Sequence, residues 1–151
     1  MATTGAKTLA FEQLLLDHLF NHSEAIIDTS LYIGLVTGTP TVSDAGASTW
    51  HSTHEVATLK GYSRQALLRS NMGDADSAGT ISNSAEINFG TSTGVDAAAA
   101  AWGTVTGFII STDETIGNPT TYYYGIFDTK KSVADGDSVR ITAGNLTIEE
   151  R

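Results

Sequence analysis

The feature that most constrains the fold is a change in the spacing of apolar residues near residue 30. Over residues 9–21 the apolar side chains recur at helical intervals, beginning with Phe11 and Leu15, and Thr8 is a suitable N-cap. From Leu31 onward apolar residues occupy every second position, which is the period of a β-strand. We therefore predict one N-terminal helix over residues 9–21, followed by a chain built mostly of strands.

Seven or so short strands are predicted after the helix. Fifteen glycines against two prolines in 151 residues fit a single domain in which strands are joined by tight turns. Such a pattern predicts a mainly β fold, a β-sandwich or jelly-roll-like single domain with one N-terminal α-helix. The clearest strand segments are residues 31–36, 62–68, 85–89, 104–112, 121–128, 139–141 and 146–148.

Three segments lack this alternation. Residues 1–8 are largely polar and small, and we predict that they form a flexible N-terminal arm, with residues 9–151 forming the domain. Residues 38–60 are rich in Ser, Thr, Gly and Ala, and we predict a long exposed loop with a functional role. The alanines at 97–101 could add one helical turn.

The charge and the residue content exclude several classes of function. Eight Lys and Arg against 17 Asp and Glu give a net charge of −9, and such a surface repels the phosphates of nucleic acid. The chain contains no cysteine, which excludes disulfides, thiolate zinc sites and thiol catalysis. We find neither an apolar stretch long enough to cross a membrane nor a signal peptide. The sequence thus predicts a protein that binds neither nucleic acid nor membrane.

The histidines are spaced as metal ligands sometimes are, but without the residues that complete such sites. His18 and His22 lie four apart on the predicted helix, yet Leu19 stands where a metalloprotease has its glutamate. His51 and His54 lie three apart in the 38–60 segment. A metal site in this loop, shared between copies of the chain, is the alternative to two solvated histidine side chains. For both histidine pairs, solvated side chains are favoured over metal binding, and we predict no metal site.

An aspartate pair resembles the start of a calcium-binding loop. Asp74 and Asp76 have the required spacing, but alanines stand at 78 and 85, where further oxygen ligands are needed. No Ser-His-Asp arrangement, phosphate-binding glycine loop or dinucleotide motif is present. We therefore predict no catalytic residue and no bound cofactor.

Large aromatic residues flank a glycine-containing strand. Trp102 and Phe108 are predicted to lie in the core, because burial is the usual position of such side chains. Gly103 and Gly107 predict a bend in the backbone, or a close approach to it. Tyrosines at 122, 123 and 124 must alternate between the two faces of their strand, so at least one hydroxyl faces solvent or a partner.

Short segments in nearly every part of the chain form a recognisable series. They are LLDHLFN at 15–21, LYIGL at 31–35, TP at 39–40, DAG at 44–46, EV at 55–56, GYSRQA at 61–66, ISN at 81–83, INF at 87–89, WGTVTGF at 102–108, YGIFD at 124–128, SV at 132–133, DGD at 135–137 and AGNLTI at 143–148. Over nearly its whole length the chain thereby resembles a family of small structural proteins of tailed bacteriophages, commonly labelled tail fibre proteins and similar to head cement proteins. Residues 47–54 and 112–119 are insertions that lengthen loops relative to that pattern.

The resemblance implies a virion structural protein. The favoured role is a capsid cement or decoration protein that binds the outer head, and the alternative is a tail fibre or a tail or baseplate connector that could bind host-surface glycans. The implied partners are the major capsid protein or tail subunits of the same phage, together with further copies in a dimer or trimer. Assembly is expected in the host bacterial cytoplasm. The candidate interface residues are Trp50, His51, His54, Tyr122 and Tyr124.

Overall fold

Nine strands and two α-helices occupy the parts of the chain that the computed structural model describes, residues 3–21, 30–41, 48–94, 101–116 and 121–149. Short 3-10 turns at Thr58–Lys60 and Arg69–Asn71 join some of them. In chain order the elements are β1 (Thr3–Lys7), α1 (Leu9–Asn21), β2 (Leu31–Val36), α2 (Ser48–His54), β3 (Gln65–Leu67), β4 (Thr80–Ser82), β5 (Ile87–Thr91), β6 (Gly103–Ser111), β7 (Thr121–Val133), β8 (Ser138–Ile141) and β9 (Thr147–Glu149).

The strands form one large sheet and two small ones, with antiparallel pairing throughout. The large sheet has the order β1-β7-β6-β2-β3, while β4 pairs with β9 and β5 pairs with β8. In the large sheet Ile33 lies opposite Ile110, and Ile110 lies opposite Tyr123. Because residues opposite one another share a face, these three side chains mark one side of the sheet.

The hydrophobic core lies between that side of the large sheet and the two small sheets. Alternate residues of β2, β6 and β7 meet residues of β5 and β8 there, which is why the sequence alternates along each of these strands. The arrangement confirms the predicted mainly β fold, which is built of antiparallel sheets. The buried core residues include Ile33, Leu35, Leu67, Ile87, Phe89, Trp102, Val105, Phe108, Ile110, Phe127, Val133, Val139, Ile141 and Leu146.

The predicted helix is confirmed with its bounds at Leu9 and Asn21. The Thr8 hydroxyl accepts a hydrogen bond from the Phe11 amide at 3.3 Å, as expected of an N-cap. The same hydroxyl donates to the carbonyl of Thr121 at 2.5 Å. The cap therefore fastens the start of α1 to the first residue of β7.

The N-terminal arm predicted over residues 1–8 is corrected for residues 3–7, which form strand β1. This strand pairs with β7, with Thr3 opposite Phe127 and Lys7 opposite Tyr123. The pairing joins residues about 120 positions apart in sequence, and its backbone hydrogen bonds do not depend on apolar alternation. A polar segment can therefore form an edge strand that leaves no periodic signal.

The long exposed loop predicted over residues 38–60 is also corrected, because residues 48–54 form α2 and Glu55 pairs with Val36 in a β-bridge. The insertion predicted at 47–54 as a longer loop is this helix. Its sequence STWHSTH has no apolar stripe, so nothing local distinguishes it from a loop. Of the alanine run at 97–101, residues 97–100 lie outside the described residues.

The glycines in the β6–β7 pair permit a close approach of the two strands. A Cβ atom on Gly107 would collide with the carbonyl oxygen of Gly125, and one on Gly125 would collide with the Phe108 ring. The expectation of a close approach at Gly107 is thus confirmed. At Gly103 the backbone has a φ of +83°, a conformation that side chains other than glycine rarely adopt.

Replacing Gly107 by Ala should destabilise the protein by about 3 kcal/mol or more, since the new methyl group meets backbone that can move only by opening the β6–β7 pair. Urea denaturation followed by far-UV circular dichroism measures the change. Gly73→Ala is the matched control, because the added Cβ would lie 3.5 Å from its nearest neighbour, the carbonyl oxygen of Ser82. Equal stability of the two variants would contradict the proposed collision.

Candidate functional site

Helix α2 places three of the predicted interface residues together but turns them in different directions. His51 is fully buried, and its Nε2 lies 3.1 Å from the Thr121 hydroxyl at the start of β7. Trp50 is half-buried, and its ring stacks on the ring of His54 with a centroid separation of 4.8 Å and an angle of 16°. Trp50 and His54 are consequently the pair available to a partner, while His51 holds α2 against the sheet.

The histidine pair in α2 is occupied by contacts within the chain. Nδ1 of His54 lies 2.8 Å from the Thr53 hydroxyl and 3.1 Å from the Trp50 carbonyl oxygen. Among the described residues, no three His, Asp or Glu side chains are grouped so that they could hold a metal ion. His22, which lies four residues after His18 and forms the second histidine pair with it, is outside the described residues.

A buried ion pair follows immediately after α2. Glu55 and Arg64 have fully buried side chains, and the guanidinium binds the carboxylate through two bonds, Nε to Oε1 at 2.7 Å and Nη2 to Oε2 at 2.8 Å. The third nitrogen, Nη1, donates to the carbonyl of Asp113 at 2.6 Å. Such two-bond geometry is the arrangement in which an arginine–carboxylate pair is strongest.

Tyr62 and a glycine complete this polar cluster. The Tyr62 hydroxyl donates to Oε1 of Glu55 at 3.2 Å and accepts the amide hydrogen of Leu35 at 2.7 Å. A Cβ on Gly34 would lie only 2.7 Å from the same Oε1. The polar cluster, Glu55, Tyr62 and Arg64, therefore lies against the backbone of β2 at the one residue of that strand without a side chain.

Burial changes the acidity of the tyrosine in the polar cluster. Loss of solvent raises the pKa of Tyr62 well above the ordinary value of a tyrosine, and the neighbouring carboxylate of Glu55 raises it further. Perturbed groups often mark active sites. Here the Glu55–Arg64 pair beside the hydroxyl is shielded from solvent and hydrogen-bonded to its neighbours. These hydrogen bonds hold α2, β2 and the segment after β6 together.

The pairing within the polar cluster could not be predicted from the sequence. Glu55 lies in the 38–60 segment, which lacks periodicity, and Arg64 lies nine residues later in the predicted strand 62–68. Each resembles an ordinary surface charge. Both fall within segments that carry the family resemblance, EV at 55–56 and GYSRQA at 61–66. The family resemblance of these two segments was the one available signal in the sequence. It draws attention to Glu55 and Arg64 but does not indicate that they form a pair.

The tyrosines of β7 divide between the inside and the surface. Tyr122 is buried, and its ring stacks on Phe11 of α1 with a centroid separation of 4.6 Å. Tyr124 is half-buried and lies opposite Ile109 and Ala6 in the large sheet. Of these two predicted interface residues, Tyr124 is the one that a partner can reach.

Helix α1 exposes much of its apolar surface. Phe11 is its one buried side chain among the described residues, and Leu14 and Leu15 are half-buried. The outward stripe of α1 consists of Leu9, Leu16, Leu19 and Phe20, whose side chains are 51–74% exposed. Exposed apolar patches of this extent mark contact surfaces in soluble proteins.

An apolar pocket of about 410 Å³ opens at Tyr123 of β7. Tyr123 forms part of its wall, and the ring of Phe11 in α1 lies 5.1 Å from the ring of Tyr123. Tyr123 thus connects the pocket with the buried side of α1. The remaining wall residues are Leu31, Leu67, Met72, Gly73, Ala75, Gly79, Ile81 and Ile148.

Replacing Glu55 by Gln should destabilise the protein by about 3–5 kcal/mol, because the Arg64 charge is then buried without its counterion. The free energy of unfolding from urea titration measures the change. Glu86→Gln is the matched control, since it breaks a 3.5 Å ion pair with Arg140 whose partners are about half exposed. That variant should lose less than about 1 kcal/mol. Similar losses in both would contradict a structural role for the buried pair.

Replacing Tyr62 by Phe should cost about 1–3 kcal/mol at neutral pH, since the amide of Leu35 loses its acceptor. The raised pKa keeps the folded hydroxyl neutral while the unfolded one ionises from about pH 10, so the wild type loses stability as pH rises. The difference in the free energy of unfolding between the wild type and Tyr62→Phe should therefore decrease between pH 8 and about pH 11, as measured by urea titration. Tyr124→Phe is the control, and identical pH profiles of the two variants would contradict the prediction.

Comparison with known proteins agrees with the resemblance seen in the sequence. Neither helix in the described part of the chain is long and apolar enough to cross a membrane. No curated protein matches the chain. A family model described as Podophage GP4 fiber I protein gp80 matches residues 6–149, from the end of β1 to the end of β9. The chain belongs to this family, and it is a bacteriophage fibre-type structural protein and a component of the virion.

Proposed function

We propose that this protein is a structural subunit of a fibre on the phage tail and that it acts by binding other virion proteins. The observation that carries the proposal is the family match, which spans residues 6–149 and so includes nearly all of the described β body. The function thus belongs to the folded domain as a unit. A local motif within it would have matched over a short segment.

The chemistry of the described residues supports binding over catalysis. The one buried cluster of ionisable groups, Glu55, Tyr62 and Arg64, is satisfied by internal hydrogen bonds and closed to a substrate. The large exposed features are apolar, namely the outward stripe of α1 and the pocket at Tyr123. Apolar surfaces of this kind contribute to binding through burial and require no reacting group.

The partners that we propose are tail subunits of the same phage. A subunit in a large assembly meets several neighbours, and each contact can be weak because the contacts act together. The net charge of −9 keeps free copies soluble and apart until apolar contacts form. Trp50, His54 and Tyr124 are half-buried and offer additional aromatic surface.

Decoration of the capsid exterior is the second candidate, and one observation favours it. The nine described strands form an antiparallel body without internal repeats, whereas a fibre shaft is expected to repeat. In that role the major capsid protein would be the partner. Host-glycan binding, the accompanying alternative for a fibre, would fall to Trp50 and His54, because the ring of His51 is buried.

Labelling of intact particles distinguishes the two locations. Phage carrying an epitope tag after Arg151 should bind gold-labelled antibody at tail fibres, and particles made without the protein should lack those fibres while their heads keep wild-type heat resistance. Untagged particles are the control for antibody specificity. Label spread over the head, together with heat-sensitive heads in particles without the protein, would contradict the fibre assignment and support decoration.

A further inference from the structure

The pocket at Tyr123 continues the hydrophobic core to the surface of the domain. Leu31, Tyr123 and Ile148 in its wall are half-buried and pack against the buried core cluster. Leu67 of β3 and Ile81 of β4 also line it. Because this wall is attached to packed core, the pocket is preformed, and binding need not be offset by ordering of the wall.

Two separate parts of the fold supply the wall. Leu31, Leu67 and Tyr123 belong to the large sheet, whereas Ile81 and Ile148 lie opposite one another in the small sheet of β4 and β9. The segment that leads into β4 supplies the remaining wall residues. The pocket therefore lies between the large sheet and the small one, and its shape depends on both.

The volume of the pocket sets the size of its occupant. At roughly 30 Å³ for each non-hydrogen atom, which is the share of one water molecule in the liquid, the volume of about 410 Å³ holds on the order of 14 atoms. The side chains of one leucine and one phenylalanine together fall just below that number. An occupant of matching size is thus one or two large apolar side chains.

The rim of the pocket carries acidic groups. Asp74 and Asp76 stand on either side of the wall residue Ala75, and Glu149 follows the wall residue Ile148. All three acidic residues are exposed. Since consecutive Cα atoms are about 3.8 Å apart, each carboxylate lies well within a Debye length of the wall.

The charges around the pocket decide which ligands it favours. One carboxylate oxygen of Asp76 accepts the amides of Ala78 and Thr80, both at 2.9 Å, which fixes the position of this charge. Lys7 lies opposite Tyr123 in β1 and brings a positive charge to that row of the sheet. The three carboxylates outnumber this ammonium group. The rim therefore disfavours an anionic ligand and attracts positive charge placed beside an apolar group.

We propose that the pocket binds a segment of another virion protein in which one or two large apolar side chains are flanked by lysine or arginine. The apolar side chains enter the pocket, and the basic groups lie against Asp74, Asp76 and Glu149. Buried apolar anchors supply most of the affinity of such contacts, while charges at the rim select the partner. The proposal rests on the proposed function for the statement that the partner is a virion subunit, and it adds the chemistry of that partner.

A second copy of this chain does not have the required chemistry. Its net charge of −9 would approach an acidic rim. The one pair of adjacent basic residues in the sequence is Lys130 and Lys131. Both belong to β7, where Lys131 lies opposite Val105 of β6, so this pair is part of the large sheet and is not a segment that can enter a pocket. The occupant is therefore a different chain.

The test is fluorescence anisotropy of a labelled peptide titrated with the full chain, in 50 mM and 500 mM NaCl. The probe is a fluorescein-labelled peptide of ten residues, with leucine and phenylalanine at its centre, two lysines on either side and serines elsewhere. We expect saturable binding that is at least threefold weaker at the higher salt, because salt screens the attraction between the lysines and the rim. Peptides with glutamate in place of lysine, or serine in place of leucine and phenylalanine, should bind at least tenfold more weakly.

Two pairs of variants locate the binding. Ala75→Leu fills part of the pocket and should raise the dissociation constant at least fivefold. Ala78→Leu is its matched control, because Ala78 is exposed in the same turn and does not line the pocket. Asp74→Asn removes one rim charge at nearly constant size and should raise the constant about two- to threefold in 50 mM NaCl. Asp128→Asn is its control, since Asp128 is exposed five residues beyond Tyr123 in β7. Circular dichroism verifies that every variant is folded.

Four outcomes would overturn the proposal. They are the absence of saturable binding by the lysine peptide, equal binding at both salt concentrations, equal effects within either pair of variants, and loss of bound peptide at the highest chain concentrations. The last of these would identify a second copy as the occupant. None of them bears on whether antibody labels fibres or heads, so failure here is distinguishable from failure of the proposed function.

Discussion

The buried pair of Glu55 and Arg64 is the interaction on which the arrangement of this protein depends. The two buried charges are tolerated because the guanidinium and the carboxylate are joined by two short hydrogen bonds. Tyr62 donates a further hydrogen bond to the carboxylate, and a backbone carbonyl accepts one from the guanidinium. The bonds join the end of α2, the strand β2 and the segment that follows β6. Removal of any partner leaves the others buried without compensation, so these elements are fixed as a unit.

That unit determines what the surface presents. Because Glu55 is held beneath Gly34, α2 lies on the large sheet with His51 inward and with Trp50 and His54 stacked toward the outside. At β7 a second anchor acts, where the Thr8 cap and the ring of Phe11 fix the start of α1 on residues 121–123. The helix is thereby held by its first turns, and its outward stripe remains available for contact.

This division between a fixed body and uncovered apolar surface suits a protein that belongs to a fibre family of phages. Within the described residues, the ionisable groups of the polar cluster are enclosed in the fold. A virion subunit needs instead a rigid shape and contacts that form only when neighbours are close. Repulsion between acidic charges disfavours contact between free copies, while burial of apolar surface stabilises the assembled state.

The sequence by itself determined the helix over residues 9–21, most of the strands, the burial of Trp102 and Phe108 and the family, because periodicity and segment identity are local properties of the chain. It could not reveal β1, whose partner lies about 120 residues away, nor α2, which is held by contacts of His51 and Glu55 instead of by an apolar stripe. The candidate site was decided in the same way. Whether His51 or Trp50 faces outward, and whether Leu16 is covered, depends on which distant surfaces meet, and only the tertiary structure specifies that.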